Sequence, residues 1–177
     1  TFCTLFFAAD FMHFTQTRIG TVDSYLVLFV MAAFHFMFSY YDECSWEKGF
    51  WSSLLPLFLS GLFLGLAGSV KWIGFFAAFG LCAMFFMSRY LEFRDYRHML
   101  RVERLLEKDI KEKLKAWFMK YFVLTCAACL VLFIVLPITV YVLSYLPVPR
   151  HNDTRPFLSF VLASQQNMFS YHAGLTS

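Results

Sequence analysis

The chain has 177 residues, of which 59% are hydrophobic, 21% aromatic and only 15% charged, with a formal net charge of +3 and a mean hydropathy of +0.59. A water-soluble domain of this length carries about 25% charged residues, so the composition excludes an ordinary soluble enzyme and points to a membrane. The five cysteines are scattered and mostly lie inside apolar runs, which excludes a disulfide framework.

Taken in order, the chain predicts about five membrane helices. The first covers Thr1–Thr17, the second Val22–Tyr40, the third Phe50–Ala67, the fourth Trp72–Ser88 and the fifth Trp117–Leu146. The first four approach the ~20 residues that a bilayer crossing requires. The chain starts at Thr1, with no basic n-region and cleavage site before the first apolar run, so an internal fragment is expected rather than a signal peptide. Gly61, Gly65 and Gly68 leave one flank of the third helix nearly bare, which favours close helix packing. The fifth helix is longer than a crossing needs, and Pro137 within it predicts a kink or an early exit.

Between the fourth and fifth helices, Arg89–Lys115 carries nine Lys and Arg against six Asp and Glu. Its apolar residues recur at helical spacing, so an amphipathic helix on the membrane surface is expected. By the positive-inside rule this segment is cytoplasmic. Counting back and forward across the helices then puts Arg18, Asp23, Lys71 and His172 together on the outer face. The predicted division is a transmembrane bundle over 1–146 and an external segment over 147–177.

Several residues are chemically conspicuous. Gln16–Asp23 holds an Arg and an Asp five residues apart around Gly20, at a helix-to-helix turn. Charges are costly near hydrocarbon, and two readings fit. Arg18 is either a fork of donors matched to a lipid phosphate, or a snorkelling interfacial residue paired with Asp23. Asp10, His13 and Thr17 lie within about 60° on a helical wheel, facing either a site or a hydrogen-bonded helix interface. Lys71 precedes Trp72 at the outer interface, a pair that by itself reads as membrane anchoring. Gln165, Gln166, Asn167, Tyr171 and His172 offer donors and acceptors suited to sugar hydroxyls, or form a polar surface loop. Cys126 and Cys129 have the spacing of a redox or metal pair, yet no second ligand pair accompanies them, so packing residues are expected. No metal-ligand spacing, phosphate-cradling glycine loop or Ser–His–Asp order is present, and the basic segment lacks the aromatic interleaving of a nucleic-acid binder.

Three stretches carry a resemblance in a fixed order. Asp10–Asp23, Gly61–Gly74 with its Lys-Trp-x-Gly ending, and Gln166–Leu175 together resemble the protein O-mannosyltransferase family, glycosyltransferase family 39. The last stretch is similar to the external segment of bacterial members. The resemblance implies an all-α, polytopic membrane helical bundle, the middle helices of a GT-C type glycosyltransferase. It implies transfer of mannose from a polyprenyl-phosphate-mannose donor to Ser or Thr hydroxyls of exported proteins. It also implies a multi-pass protein of a bacterial cell membrane with its active face outside. The partners implied are the bilayer, the lipid-linked donor and an acceptor protein, with no nucleic acid, no metal and no further cofactor. Donor-phosphate or substrate binding falls to Arg18, Asp23 and Lys71, and sugar or acceptor contacts to Asp10, Asn167, Tyr171 and His172. The family's catalytic Asp-Glu pair is expected upstream of Thr1, so the fragment alone is expected to be inactive. A related transferase moving another lipid-linked sugar or aminosugar to a lipid or glycan acceptor shares the scaffold. A non-catalytic transporter or scaffold is the other alternative, although no internal repeat supports it.

Overall fold

The computed structural model describes residues 22–43, 50–102, 108–148 and 154–174, and every regular element among them is helical. Helix α1 spans Val22–Glu43 and α2 Phe50–Val70; a short 3-10 turn, Trp72–Phe76, leads into α3, Ala77–Val102. Helix α4 spans Lys108–Leu130 and continues through a π-helical turn, Val131–Val135, into α5, Leu136–Leu143; α6 covers Phe157–Gly174. Four stretches are long and apolar enough to cross a membrane: Val22–Asp42, Ser53–Val70, Trp72–Leu100 and Lys111–Leu143. The predicted first helix, Thr1–Thr17, lies outside the described residues.

Helices form here because hydrocarbon offers no partner to a peptide group, so each must bond within its own segment. The hydroxyl residues of these runs obey the same constraint. Ser69 donates to the Gly65 carbonyl at 2.9 Å, Thr125 to Tyr121 at 2.9 Å and Thr139 to Val135 at 2.7 Å. Ser60 instead reaches across to the Ala33 carbonyl at 2.9 Å, joining α2 to α1 through a buried bond. Around that bond sits the main core of Ala33, Met37, Leu57, Leu64, Leu81 and Phe85. Many large side chains point outward, among them Trp51, Phe79 and Phe86. In water such rings would form an aggregating surface; on a spanning helix they meet lipid chains.

The glycine flank of α2 packs against the π turn and α5. A Cβ on Gly61 would collide with the main-chain carbonyl of Leu132, and one on Gly65 would lie 2.9 Å from the Pro137 Cα. Pro137 does not end the helix early. It follows the π turn, in which the Leu136 N–H bonds back to the Val131 carbonyl. The wider turn absorbs a residue with no N–H of its own, and the helix runs on to Leu143.

The polar connection differs from a single surface helix. Residues 89–102 prolong α3, and 108–115 open α4. Tyr96, Phe118 and Tyr121 form a second core between these prolongations, with Tyr96 and Phe118 stacked at 4.0 Å. The apolar positions that suggested a membrane-lying helix are therefore partly the seam between two packed helices.

Candidate functional site

Helix α2 stops at Val70 because Lys71 adopts an extended backbone, with φ −151° and ψ 142°. The break is tight. The Lys71 N–H still bonds to the Ala67 carbonyl at 3.2 Å, and the Gly74 N–H bonds to the Lys71 carbonyl at 2.9 Å. Gly74 must lack a side chain here, since a Cβ would sit 2.6 Å from the Ala67 main chain. This turn sets Lys71 and Trp72 at the rim of the bundle. From α1, Asp23 reaches the Lys71 ammonium and forms an ion pair with it across 48 residues of sequence. Both side chains stay partly open, 44% and 37% exposed. Asp23 also stands in the first turn of α1, where the helix's unsatisfied N–H groups favour a carboxylate.

Beside the ion pair lies an open cleft of about 550 Å³, whose lining includes Lys71, Trp72, Tyr141, Ser144, Tyr145 and Met168. A hydrogen-bonded ring closes one side of it. The Trp72 indole donates to the Tyr141 hydroxyl at 2.8 Å, and Tyr141 donates to Gln165 Oε1 at 2.9 Å. Gln165 Nε2 donates to the Tyr145 hydroxyl at 2.6 Å. The two tyrosine hydroxyls stand 3.3 Å apart, which leaves Tyr145 to complete the ring by donating to Tyr141. Burial pushes the Tyr145 phenol above its ordinary value, and its bond to Tyr141 adds to the shift, so it remains a neutral donor. Phe75 supports the ring edge-on against Tyr141, with centroids 5.9 Å apart. The three elements that meet here, the 3-10 turn, α5 with its C-terminal turn, and α6, are brought together by these side-chain bonds.

The arrangement answers several expectations. Asp23 and Lys71 are together, and among the described residues the partner of Asp23 is Lys71. Arg18, Asp10 and His13 lie outside the described residues. Asn167 lines a second open cleft with Trp72, Gln165, Gln166, Phe169 and Ser170. Tyr171 is exposed on α6, and His172 falls on the same helix. The stretch is thus helical rather than a surface loop. Tyr141 and Tyr145 were not singled out in the sequence, and Trp72 was read only as an anchor. Their one signal, an aromatic pair four residues apart near the end of a long helix, also describes ordinary interfacial residues.

A second polar cluster occupies the other end of the spanning helices. Arg89 and Glu92 form an ion pair at 2.8 Å with side chains only 3% and 7% exposed. The guanidinium lies over the rings of Tyr40, Phe85 and Tyr121 at 5.4–5.6 Å. The Tyr121 hydroxyl donates to Glu92 at 3.3 Å and stands 3.4 Å from the Ser53 hydroxyl. Arg89 and Glu92, counted in sequence among the charges of the polar connection, are therefore interior residues. Cys126 and Cys129 line an apolar groove with Cys82 as free thiols. Among the described residues no group of three or more His, Cys, Asp or Glu could hold a metal ion.

Four spanning helices define an all-α polytopic membrane protein, with the Lys71 cleft as the candidate site at one end. Residues 1–148 match the family model described as dolichyl-phosphate-mannose-protein mannosyltransferase, and the chain belongs to that family of membrane glycosyltransferases. No curated protein and no solved structure gives a significant match to the chain.

Proposed function

We propose that this chain serves the transfer of mannose from a polyprenyl-phosphate-mannose donor to Ser or Thr hydroxyls of exported proteins, with Lys71 at the donor phosphate. The observation that carries this reading is the placement of Lys71, the one charged residue of the lining, on the wall of a cleft that also holds two phenols, an indole and two serine hydroxyls among apolar groups. In the reaction the acceptor oxygen attacks the anomeric carbon and the bond to the phosphate oxygen breaks. Negative charge then grows on the departing phosphate, where an ammonium stabilises it. The hydroxyl proton passes to a carboxylate base. Asp23, engaged by Lys71, is not given that role. Trp72, Gln165 and Asn167 suit the sugar or the acceptor, because an indole face and amide groups match the apolar and polar faces of a pyranose.

The orientation we propose places the Lys71 end outside a bacterial cell membrane. The opposite end carries the basic residues of Arg89–Lys115, which favour the cytoplasm. Arg18, seven residues before Tyr25 of α1, belongs to the same end by sequence and is proposed as a further phosphate contact.

The test is Lys71→Met in the intact enzyme, assayed with a radiolabelled polyprenyl-phosphate sugar. Loss of one charge-assisted contact should weaken donor use by roughly 1.5–3 kcal/mol, about ten- to 150-fold, with folding near normal. Unchanged donor kinetics would return Lys71 to membrane anchoring. Transfer of an aminosugar, or transfer to a lipid or glycan acceptor, would replace the proposed substrates while keeping the site.

A further inference from the structure

The ion pair at the cleft raises a question that donor binding alone does not answer. The ammonium that would meet the donor phosphate is already held by a carboxylate. A carboxylate cannot itself ligate a phosphate, because two anions at that distance repel. We infer that Asp23 is a resident counter-ion which the lipid phosphate displaces from Lys71, so that the pair exchanges partners during each cycle. The inference rests on the proposed role of Lys71.

Three features make the exchange feasible. First, both side chains are substantially exposed, so neither needs to leave a dry interior to change partner. An exposed pair is held weakly, and the phosphate offers the ammonium a charge-assisted contact in its place. Secondly, the two groups come from separate elements. The Lys71 backbone is fixed by bonds to Ala67 and Gly74, whereas Asp23 belongs to α1. The long lysine stem can therefore swing toward the cleft without moving either helix. Lys71 lines that cleft and Asp23 does not. Thirdly, Asp23 keeps the first turn of α1 as a second favourable partner when the ammonium departs. It is left neither buried nor uncompensated.

The exchange also has a use. With no competitor, an ammonium would hold the polyprenyl phosphate left after transfer as firmly as it held the donor. A carboxylate that reclaims Lys71 weakens both complexes and helps the spent lipid leave. Asp23 is thus a positioning residue acting through Lys71, not a catalytic one.

The experiment uses the purified full chain in detergent with a short-chain polyprenyl phosphate that carries no sugar. Its Kd is measured for the unaltered protein and for Asp23→Asn, Asp23→Glu and Lys71→Met, alongside the thermal midpoint of each. Asp23→Asn should bind roughly two- to fivefold more tightly, the range open to an exposed ion pair. Asp23→Glu, which restores the counter-ion, should return the Kd to that of the unaltered protein. In the intact enzyme Asp23→Asn should lower KM for the donor and, where lipid release limits turnover, lower kcat as well. A purely structural pair would shift the thermal midpoint and leave the Kd unchanged, and that result would overturn the inference. Weaker binding by Asp23→Asn would overturn it too, since Asp23 would then be orienting the ammonium toward phosphate. If Lys71→Met binds the lipid phosphate normally, the proposed role of Lys71 itself fails. If Lys71→Met loses binding while Asp23→Asn matches the unaltered protein, the role of Lys71 stands and only the exchange is lost.

Discussion

The two ends of this bundle hold the same chemical pairing in opposite surroundings. Lys71 and Asp23 meet across two elements at an open rim, whereas Arg89 and Glu92 lie one turn apart on α3 and are almost fully buried. Around the first pair is a cleft; around the second are the rings of Tyr40, Phe85 and Tyr121 and a bond from Tyr121. An ion taken out of water loses its hydration and must recover it from fixed neighbours. Arg89 and Glu92 have those neighbours, and the cost of parting them is high. Lys71 and Asp23 keep much of their hydration, and the cost of parting them is small. The contrast separates a pair enclosed by packed helices from a pair left partly open at the rim.

The largest effect is expected at the buried end. Arg89→Leu removes the cation from the buried Glu92 carboxylate and should lower stability by about 3–5 kcal/mol. Replacing Arg89 and Glu92 together with Leu should recover much of that loss, because no charge is then left alone. Thermal unfolding in detergent measures both variants. A loss no greater than that of Lys71→Met would erase the distinction between the two ends.

A smaller effect is expected midway between the ends, where α2 rests on the π turn. Gly61→Ala should cost about 1–3 kcal/mol, since the new methyl would meet the Leu132 carbonyl, a main-chain group that cannot swing aside. The same unfolding assay reads it. An unchanged midpoint would mean that α2 and the π turn are not in firm contact.

The smallest effect belongs to the open end. Tyr145→Phe removes the hydroxyl that accepts from Gln165 and completes the ring with Tyr141. A loss of about 0.5–1.5 kcal/mol is expected. Because burial raises the Tyr145 pKa, its contribution is fully present below the ordinary phenol value of 10.0 and fades as pH rises through the raised one. The unaltered protein should therefore lose some stability in strong alkali that Tyr145→Phe does not lose. Equal alkaline profiles would show that the ring adds nothing at this end.

The sequence alone determined the class of protein and the order of its described spans. Long apolar runs in which water is absent have one backbone solution, and each run is local, so its helix can be read from consecutive residues. The match over residues 1–148 covers the first two family-like stretches, Asp10–Asp23 and Gly61–Gly74, while the third, Gln166–Leu175, lies beyond it. Tertiary structure decided the rest. Which charge is buried depends on which helices cover it: Arg89 and Glu92 belong to a charged segment, yet Tyr40, Ser53 and Tyr121 arrive from three other helices to enclose them. The fate of Pro137 depended on a widened turn against Gly61 and Gly65. Asp23 found Lys71 through a contact spanning 48 residues, and Gln165 found Tyr141 across 24. Such contacts leave no periodic trace in the chain, because helix packing sets them and local propensity does not.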